Sequence, residues 1–384
     1  MSVPRPYLSV IVPAHQAMGP LRQSLEALGR SGLPREAWEL IVADDASTDE
    51  TSLVAAEYAD TVVRLSGKPN GPAYARNRAF EASRGEVLVF VDSDVVVHPD
   101  ALPRIVRHLK DDPSLSAVFG AYDANPTAPG LVSQYRNLLH HYVHVRNRGP
   151  AETFWAGIGA IRRDAFAEVG MFDEWSYANP QIEDIELGRR LRRLGRRILL
   201  DPDIQGTHLK RWTLKGTLLG DFRNRGVPWM WLLLQEGTPE SSRTLNVRTA
   251  EKWTTAAVGL AVALATTAIV VREDLYAWCA LVAPAAILAT NWGFYRFLAN
   301  VRGVAFAAAV MPLHLLYYVG NGVSALSGWM VHVLFGEPIP SAAVAALAQA
   351  GVKTWPPPPS RPSTSLWDEP EREHRPVRRK REGG

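Results

Sequence analysis

Two carboxylates separated by one residue, Asp92-Ser93-Asp94, stand at the end of the apolar run from Gly85 to Val91. Carboxylates spaced i, i+2 at a strand end can converge on one hard divalent cation, which takes oxygen ligands. A cation held there neutralises a diphosphate and makes a nucleotide a competent leaving group. Asp44-Asp45-Ala46-Ser47-Thr48-Asp49 follows another apolar run. A carboxylate at Asp44 or Asp45 suits a nucleobase imide or a ribose hydroxyl, while Ser47 to Asp49 suit the cap of the next helix. Asn70-Gly71-Pro72 opens a segment whose first helical turns carry Arg76 and Asn77. Arg76 is suited to phosphate and Asn77 to supporting hydrogen bonds; the plainer roles are an exposed arginine and a capping asparagine.

The elements that must position these groups alternate. Leu8–Val12, Trp38–Ala43, Thr61–Leu65 and Glu86–Val91 read as strands, and Leu21–Leu28, Ser52–Tyr58 and Ala73–Ser83 as helices. That rhythm predicts a mostly parallel sheet covered on both faces. Ligands of such sheets bind outside the carboxyl ends of the strands. His15, Asp44, Asp45, Asp92 and Asp94 all fall at those ends.

Together and in order, these segments resemble glycosyltransferase family 2. The resemblance runs from about Leu8 to Arg225 and includes Ser9-Val10-Ile11-Val12-Pro13-Ala14, the Asp44–Asp49 segment, Ala75-Arg76-Asn77 and Asp92-Ser93-Asp94. It continues through Trp155-Ala156-Gly157, Arg163, Phe166 and Gly170–Glu174 into Glu183-Asp184. It implies an α/β fold of the GT-A, Rossmann-like, nucleotide-sugar type and inverting transfer from a nucleoside-diphosphate sugar. Pro13, Ala14, His15, Asp44 and Asp45 would then hold base and ribose, with Arg76, Asn77 and Ser93 also in the donor site. Asp92 and Asp94 would hold Mg2+ or Mn2+. Asp184, with Glu183 beside it, would be the base that takes the acceptor proton; without the resemblance, the pair reads as an acidic helix start. Trp155, Ala156, Gly157, Arg211 and Trp212 would lie on the acceptor side. Two departures stand out: His15 occupies a position often aromatic in the family, and His208-Leu209-Lys210-Arg211-Trp212 stands where membrane polysaccharide synthases carry Gln-x-x-Arg-Trp. The second argues against processive polymer synthesis and offers His208 as a further metal ligand or a phosphate contact.

The chain has 384 residues, a single cysteine, and 42 Lys and Arg against 39 Asp and Glu. One cysteine excludes a disulfide framework and a cysteine-based zinc site. The charge excess lies in residues 353–384, leaving the body balanced, so the basic isoelectric point does not imply nucleic acid as a partner. The mean hydropathy of −0.09 averages two unlike halves. Residues 253–271, 275–295 and 303–336 contain no Asp, Glu, Lys or Arg. A membrane-spanning helix needs roughly 20 apolar residues, so the first two runs suit spans. The third is long for one and short for two, and is expected to form a hairpin or to lie partly at the interface.

The expected organisation is therefore a catalytic domain over 1–245, a transmembrane helical region over 246–336, and an amphipathic stretch with a disordered, proline-rich basic tail over 337–384. No amino-terminal signal segment precedes the first strand, and Arg296 and Arg302 fit an inside loop. A multi-pass protein of the cell membrane with a cytoplasmic catalytic domain is expected. Its partners would be a nucleoside-diphosphate sugar and a lipid-linked or glycan acceptor. A polyprenyl-phosphate acceptor, a non-catalytic transport component and a nucleotidyltransferase are the alternatives. The six arginines of Leu187–Arg197 suggest a solvated face or a contact with anionic lipid.

Overall fold

A computed structural model of the chain describes residues 5–177, 181–235, 249–272 and 282–335. The expected tail, the link before residue 249 and the opening of the second apolar run lie outside the described residues.

Strands β1 (Leu8–Ala14), β2 (Trp38–Asp45) and β4 (Val87–Val91) are buried along their whole length. Burial on both faces is why each is built around an apolar run, Val10–Val12 in β1, Leu40–Ala43 in β2 and Val87–Val91 in β4. β1 pairs in parallel with both neighbours, placing Leu8 opposite Trp38 on one side and Val87 on the other. β3 (Thr61–Leu65) extends the sheet in parallel beyond β2 and is partly exposed. Helices α1 (Met18–Gly29), α2 (Thr51–Tyr58) and α3 (Pro72–Ala82) make the crossovers. Side chains alternate across the sheet. Val10 and Val12 join Leu21, Leu25 and Leu102 in one apolar layer, and Ile11 joins Phe90, Phe119, Phe166 and Leu187 in the other.

The expected parallel arrangement holds for this first half; the sheet as a whole is mixed. After β5 (Val95–Val97), α4 (Ala101–Asp111), β6 (Leu115–Tyr122), α5 (Leu131–Arg146) and β7 (Gly149–Pro150) come β8 (Ile158–Arg162), α6 (Arg163–Glu168), α7 (Glu183–Arg193) and β9 (Arg197–His208). β8 lies between β4 and β6, antiparallel to both. β5 and β7 run antiparallel to β9, and β6 runs parallel to it. The reversal at β8 positions the site: Val91 pairs with Ile158, and the Asp92 N–H donates to the Gly157 carbonyl at 3.2 Å.

A helical part follows. Helix α8 (Leu214–Gly220), a π-helical turn (Asp221–Gly226) and α9 (Val227–Gln235) succeed one another directly. Then come α10 (Thr249–Val271), α11 (Val282–Thr290), α12 (Trp292–Arg302) and α13 (Val304–Phe335). Lys252–Val271 and Val304–Leu334 are long and apolar enough to cross a membrane by length and composition. The third apolar run, expected as a hairpin or interfacial piece, is one helix of 32 residues with Pro312 inside it. At 1.5 Å per residue it is about 48 Å long, more than a hydrocarbon core of about 30 Å.

α5 ties the two parts together. His141 and His144 donate through Nδ1 to the carbonyls of Tyr122 (2.7 Å) and Gly120 (2.9 Å) in β6. Tyr135 and Leu138 pack into an apolar cluster with Phe294, Val310 and Tyr318.

Candidate active site

A cavity of about 1330 Å³ begins at the ends of β1, β2 and β4 and reaches α9, α10 and α13. Pro13, Ala14, His15, Asp45, Arg76 and Asp92–Asp94 line it at the sheet, and Trp229, Leu233, Thr255, Asn321 and Ser324 at the helices.

Asp94 Oδ2 lies 3.4 Å from His208 Nε2. The other ring nitrogen, Nδ1, bonds Asn137 Oδ1 at 2.6 Å. With the amide oxygen accepting, Nδ1 carries a proton, and Nε2 is the ring nitrogen turned to the carboxylate. Tyr122 stacks on the same imidazole, 4.2 Å between centroids and 6° between planes. A carboxylate oxygen and a neutral imidazole nitrogen fit a divalent cation of the Mn2+ type, with substrate phosphates and water completing the shell. Asp92 is placed differently from the expectation of a matched carboxylate pair: its Oδ1 accepts from Arg76 at 2.8 Å. Among the described residues no cluster of three His, Cys, Asp or Glu gathers as a metal site; of the expected ligands, Asp94 and His208 face each other, and Asp92 lines the same cavity. Ser93, between the two aspartates, also lines the cavity.

Arg76 was expected at phosphate. It is buried and bridges Asp92 and Glu183, the latter at 2.9 Å. Two carboxylates that sit 16 and 107 residues away in sequence thus engage its two terminal nitrogens, and Arg76 still lines the cavity. Glu183 also accepts from the Gln181 N–H at 2.9 Å. Asp184, the next residue, makes no ion pair among the described residues; its Oδ2 accepts from the Ala156 N–H at 3.0 Å. Burial, and then the neighbouring Glu183 charge, push its carboxyl up to about 7. Burial likewise raises Asp92, with Arg76 opposing it.

Strand alternation separates Asp44 from Asp45. Asp45 lines the cavity and accepts from the Asn70 N–H at 2.9 Å and the Gly71 N–H at 2.7 Å; burial raises its carboxyl against those bonds. Asp44 is turned away, accepting from the Ser47 N–H at 3.1 Å and from the Ser52 hydroxyl, and does not line the cavity. His15 Nδ1 bonds the Asp45 carbonyl at 2.7 Å. Asn77 also lies off the cavity: it donates to the Phe172 carbonyl (2.9 Å) and Glu174 (2.8 Å) and accepts from the Phe172 N–H (3.1 Å). It staples α3 to the loop after α6.

Of the residues expected on the acceptor side, Trp155 lines the cavity, the Ala156 N–H donates to Asp184, and the Gly157 carbonyl accepts from the Asp92 N–H. A side chain at Gly157 would collide with the Trp155 ring, 2.2 Å from a Cβ. Trp212 lines the cavity, whereas Arg211 is exposed and does not. The arginines of 187–197 do not form a free basic face: Arg190, Arg192, Arg196 and Arg197 pair with Glu186, Glu152, Glu168 and Asp112.

Several cavity residues carried no sequence signal. Tyr122, Asn137, His140 and His144 reach it from β6 and α5, with the His140 and His144 rings 4.0 Å apart and Trp155 across them. Burial holds His140 well below the ordinary histidine range and pushes His144 down to about 4. The i, i+4 spacing of these histidines was visible, but a helix face means nothing until its partner is known.

Residues 9–170 match the family model described as glycosyl transferase family 2. This stretch of the chain is a glycosyltransferase family 2 domain. The matched stretch of the family 2 domain contains Arg76 and Asp92–Asp94 and ends before Glu183, Asp184 and His208. The probable glycosyltransferase YdaM of Bacillus subtilis is 28% identical over 211 residues, which are 51% of this chain and 49% of that protein. The poly(ribitol-phosphate) beta-N-acetylglucosaminyltransferase TarS of Staphylococcus aureus is 33% identical over 98 residues, 24% of this chain and 17% of that one. The chain thus spans about half of the first of these relatives' length and less of the second. Among solved structures, mannosyltransferase PcManGT from Pyrobaculum calidifontis, in complex with GDP-Man and Mn2+, superposes with a TM-score of 0.54 at 18% identity. The match covers 87% of this chain and 89% of that one, and what it shows is a shared fold.

Proposed function

We propose that this family 2 glycosyltransferase moves a sugar from a nucleoside-diphosphate sugar to a hydroxyl of a membrane-associated acceptor, with inversion. It uses Mg2+ or Mn2+ and works at the cytoplasmic face of the cell membrane in making envelope polysaccharide or glycolipid. One observation carries the reading: Asp184, a carboxylate with no ion-pair partner among the described residues, shares a cavity with the Asp94–His208 pair.

The chain's own groups have distinct tasks in this reaction. Asp94 and His208 would hold the divalent cation, which when bound offsets charge on the departing nucleoside diphosphate. Asp45 and His15, which line the same cavity, would face the nucleoside. Asp184 accepts the proton of the attacking hydroxyl, and a carboxyl near 7 is matched to that work at neutral pH. Arg76 holds neighbouring Glu183 in an ion pair, so that of the two carboxylates at the start of α7 Asp184 is the one left to take a proton from the acceptor. Support for membrane attachment comes from the two long apolar helices and from the extension of the cavity between them.

The test uses the full chain reconstituted with membrane lipid, given UDP-, GDP-, CDP- or dTDP-linked sugars with Mn2+. The expected result is sugar incorporation with release of a nucleoside diphosphate, abolished in both Asp94→Ala and Asp184→Asn. Release of pyrophosphate would move the chain to nucleotidyl transfer. Incorporation untouched by Asp184→Asn would remove the hydroxyl-acceptor chemistry and favour a phosphate nucleophile, which needs no strong base.

A further inference from the structure

Three cations from separate parts of the chain surround one indole. Lys210 Nζ lies 4.7 Å from the Trp212 ring, and the guanidinium carbons of Arg225 and Arg136 lie 5.4 and 5.6 Å from it. All four residues line the cavity. Arg136 comes from α5, Arg225 from the π-helical turn, and Lys210 and Trp212 from the segment after β9. Asp221 takes both arginines, at 2.7 and 2.9 Å. Lys210 makes no ion pair among the described residues. Three positive charges against Asp221, with Asp94 near enough to Lys210 for their charges to interact, still leave a surplus, and like charges gathered this closely are relieved by an incoming anion. Trp212 Nε1 is buried without a hydrogen-bond partner among the described residues, which adds a neutral donor. Two guanidinium forks, an ammonium and an indole N–H make a donor set fitted to phosphate.

The place of the cluster indicates whose phosphate it is. On one side it borders the metal pair, with the His208 and Trp212 rings 6.2 Å apart. On the other, the residue after Arg225 is Gly226, packed so tightly on α13 that a Cβ would come within 2.4 Å of Ser324. Beyond that contact the cavity continues past Trp229, Met230, Leu233 and Ala325. A cation cluster opening onto an apolar arm suits an amphiphile with a phosphate head.

We propose that Arg136, Lys210, Arg225 and Trp212 form a phosphate subsite for the acceptor, whose hydrocarbon chain lies in the arm between α9, α10 and α13. This rests on the reading of the acceptor as membrane-associated. Asp221 is then a resident competitor for the arginines, holding them until the phosphate arrives.

The experiment titrates the reconstituted full chain with farnesyl monophosphate and with farnesol, and separately with a nucleoside diphosphate plus Mn2+. Wild type binds the phosphate more tightly than the alcohol by about tenfold or more, the discrimination expected of charge-assisted contacts. Arg136→Gln and Arg225→Gln each erase that preference and leave nucleotide binding in place. Asp221→Asn strengthens farnesyl phosphate binding, a gain that no purely structural role of the arginines yields. Equal affinity for phosphate and alcohol in wild type overturns the proposal. So does a loss in the arginine variants that falls on the nucleotide alone, which would give these cations to the donor. Failure of wild type to bind any nucleotide would strike the donor reading instead, and the farnesyl arm would still decide the phosphate subsite.

Discussion

Glu183 and Asp184 are consecutive, yet only Glu183 meets Arg76, at 2.9 Å, while Asp184 is held by the Ala156 N–H and has its carboxyl pushed up to about 7. Two adjacent carboxylates thus acquire different chemistry from their surroundings: one is engaged by a guanidinium, and the other is poised to exchange a proton near neutral pH. The difference lies in the packing of α7 against α3 and the segment before β8.

Asp184→Asn keeps the shape and the Ala156 contact but removes proton acceptance. Transfer rate falls by about 10²–10⁴-fold, the usual worth of general-base assistance. Nucleotide affinity stays within about twofold of wild type, so the loss appears in kcat when both are measured on the same preparation.

The pH profile follows from the same group. Its carboxyl is raised from an ordinary 3.8 to about 7, and only the ionised form accepts a proton. Activity therefore climbs as pH rises through about 7 and levels off above it, and Asp184→Asn flattens that limb. Stability runs the other way. The folded chain binds this proton more tightly than the unfolded chain, so the stabilising contribution is complete below 3.8 and is lost as pH rises through about 7. Thermal melts of Asp184→Asn should lack that part of the decline.

Arg76→Ala strands two carboxylates, one of them fully enclosed, since Arg76 and Glu183 are both buried. Breaking a buried pair by removing one partner costs about 3–5 kcal/mol. A marked drop in melting temperature should accompany loss of activity. Arg76→Lys restores charge without the two-pronged geometry and recovers stability only in part.

Asn137→Ala tests the tautomer of His208. Nδ1 loses its 2.6 Å partner, and the imidazole is no longer fixed with Nε2 toward Asp94. Mn2+ affinity in the presence of nucleotide should weaken by about 10–100-fold, as for other supports of metal-ligating histidines. Paramagnetic resonance of bound Mn2+ reads this without turnover. Unchanged affinity would show that Asn137 only packs.

Gly188→Ala reports on the placement of α7 itself. A Cβ at Gly188 would lie 2.1 Å from the Phe154 backbone nitrogen and 2.5 Å from the Thr153 carbonyl carbon. Neither can yield as a flexible side chain could, so α7 must back away from the segment that carries Ala156. Overpacking of this kind costs about 1–3 kcal/mol. Activity should fall further than stability, because Asp184 moves relative to the acceptor.

Much of this site is legible in the order of residues. The apolar runs before His15, Asp45 and Asp92 are long because their strands are buried on both faces, and a parallel sheet puts all three ends on one side. Asp92-Ser93-Asp94, Glu183-Asp184 and His208 could be singled out because their residue types and their order along the chain matter more than their distances. The three charge-free runs show as clearly, since composition alone reports them.

What tertiary structure decided is which polar groups consume one another. Arg76 reads as either a phosphate contact or an exposed arginine, and only the fold shows it buried between Asp92 and Glu183. Asp44 and Asp45 are equivalent as letters, and the alternation of β2 sends only Asp45 to the cavity. Asn137, Arg136 and Arg225 lie on helices with no motif, and they count only because α5 and the π-helical turn pack beside β9. The antiparallel β8 was hidden for the same reason: an apolar strand carries its length and burial in its own residues, but its direction depends on the neighbour it meets.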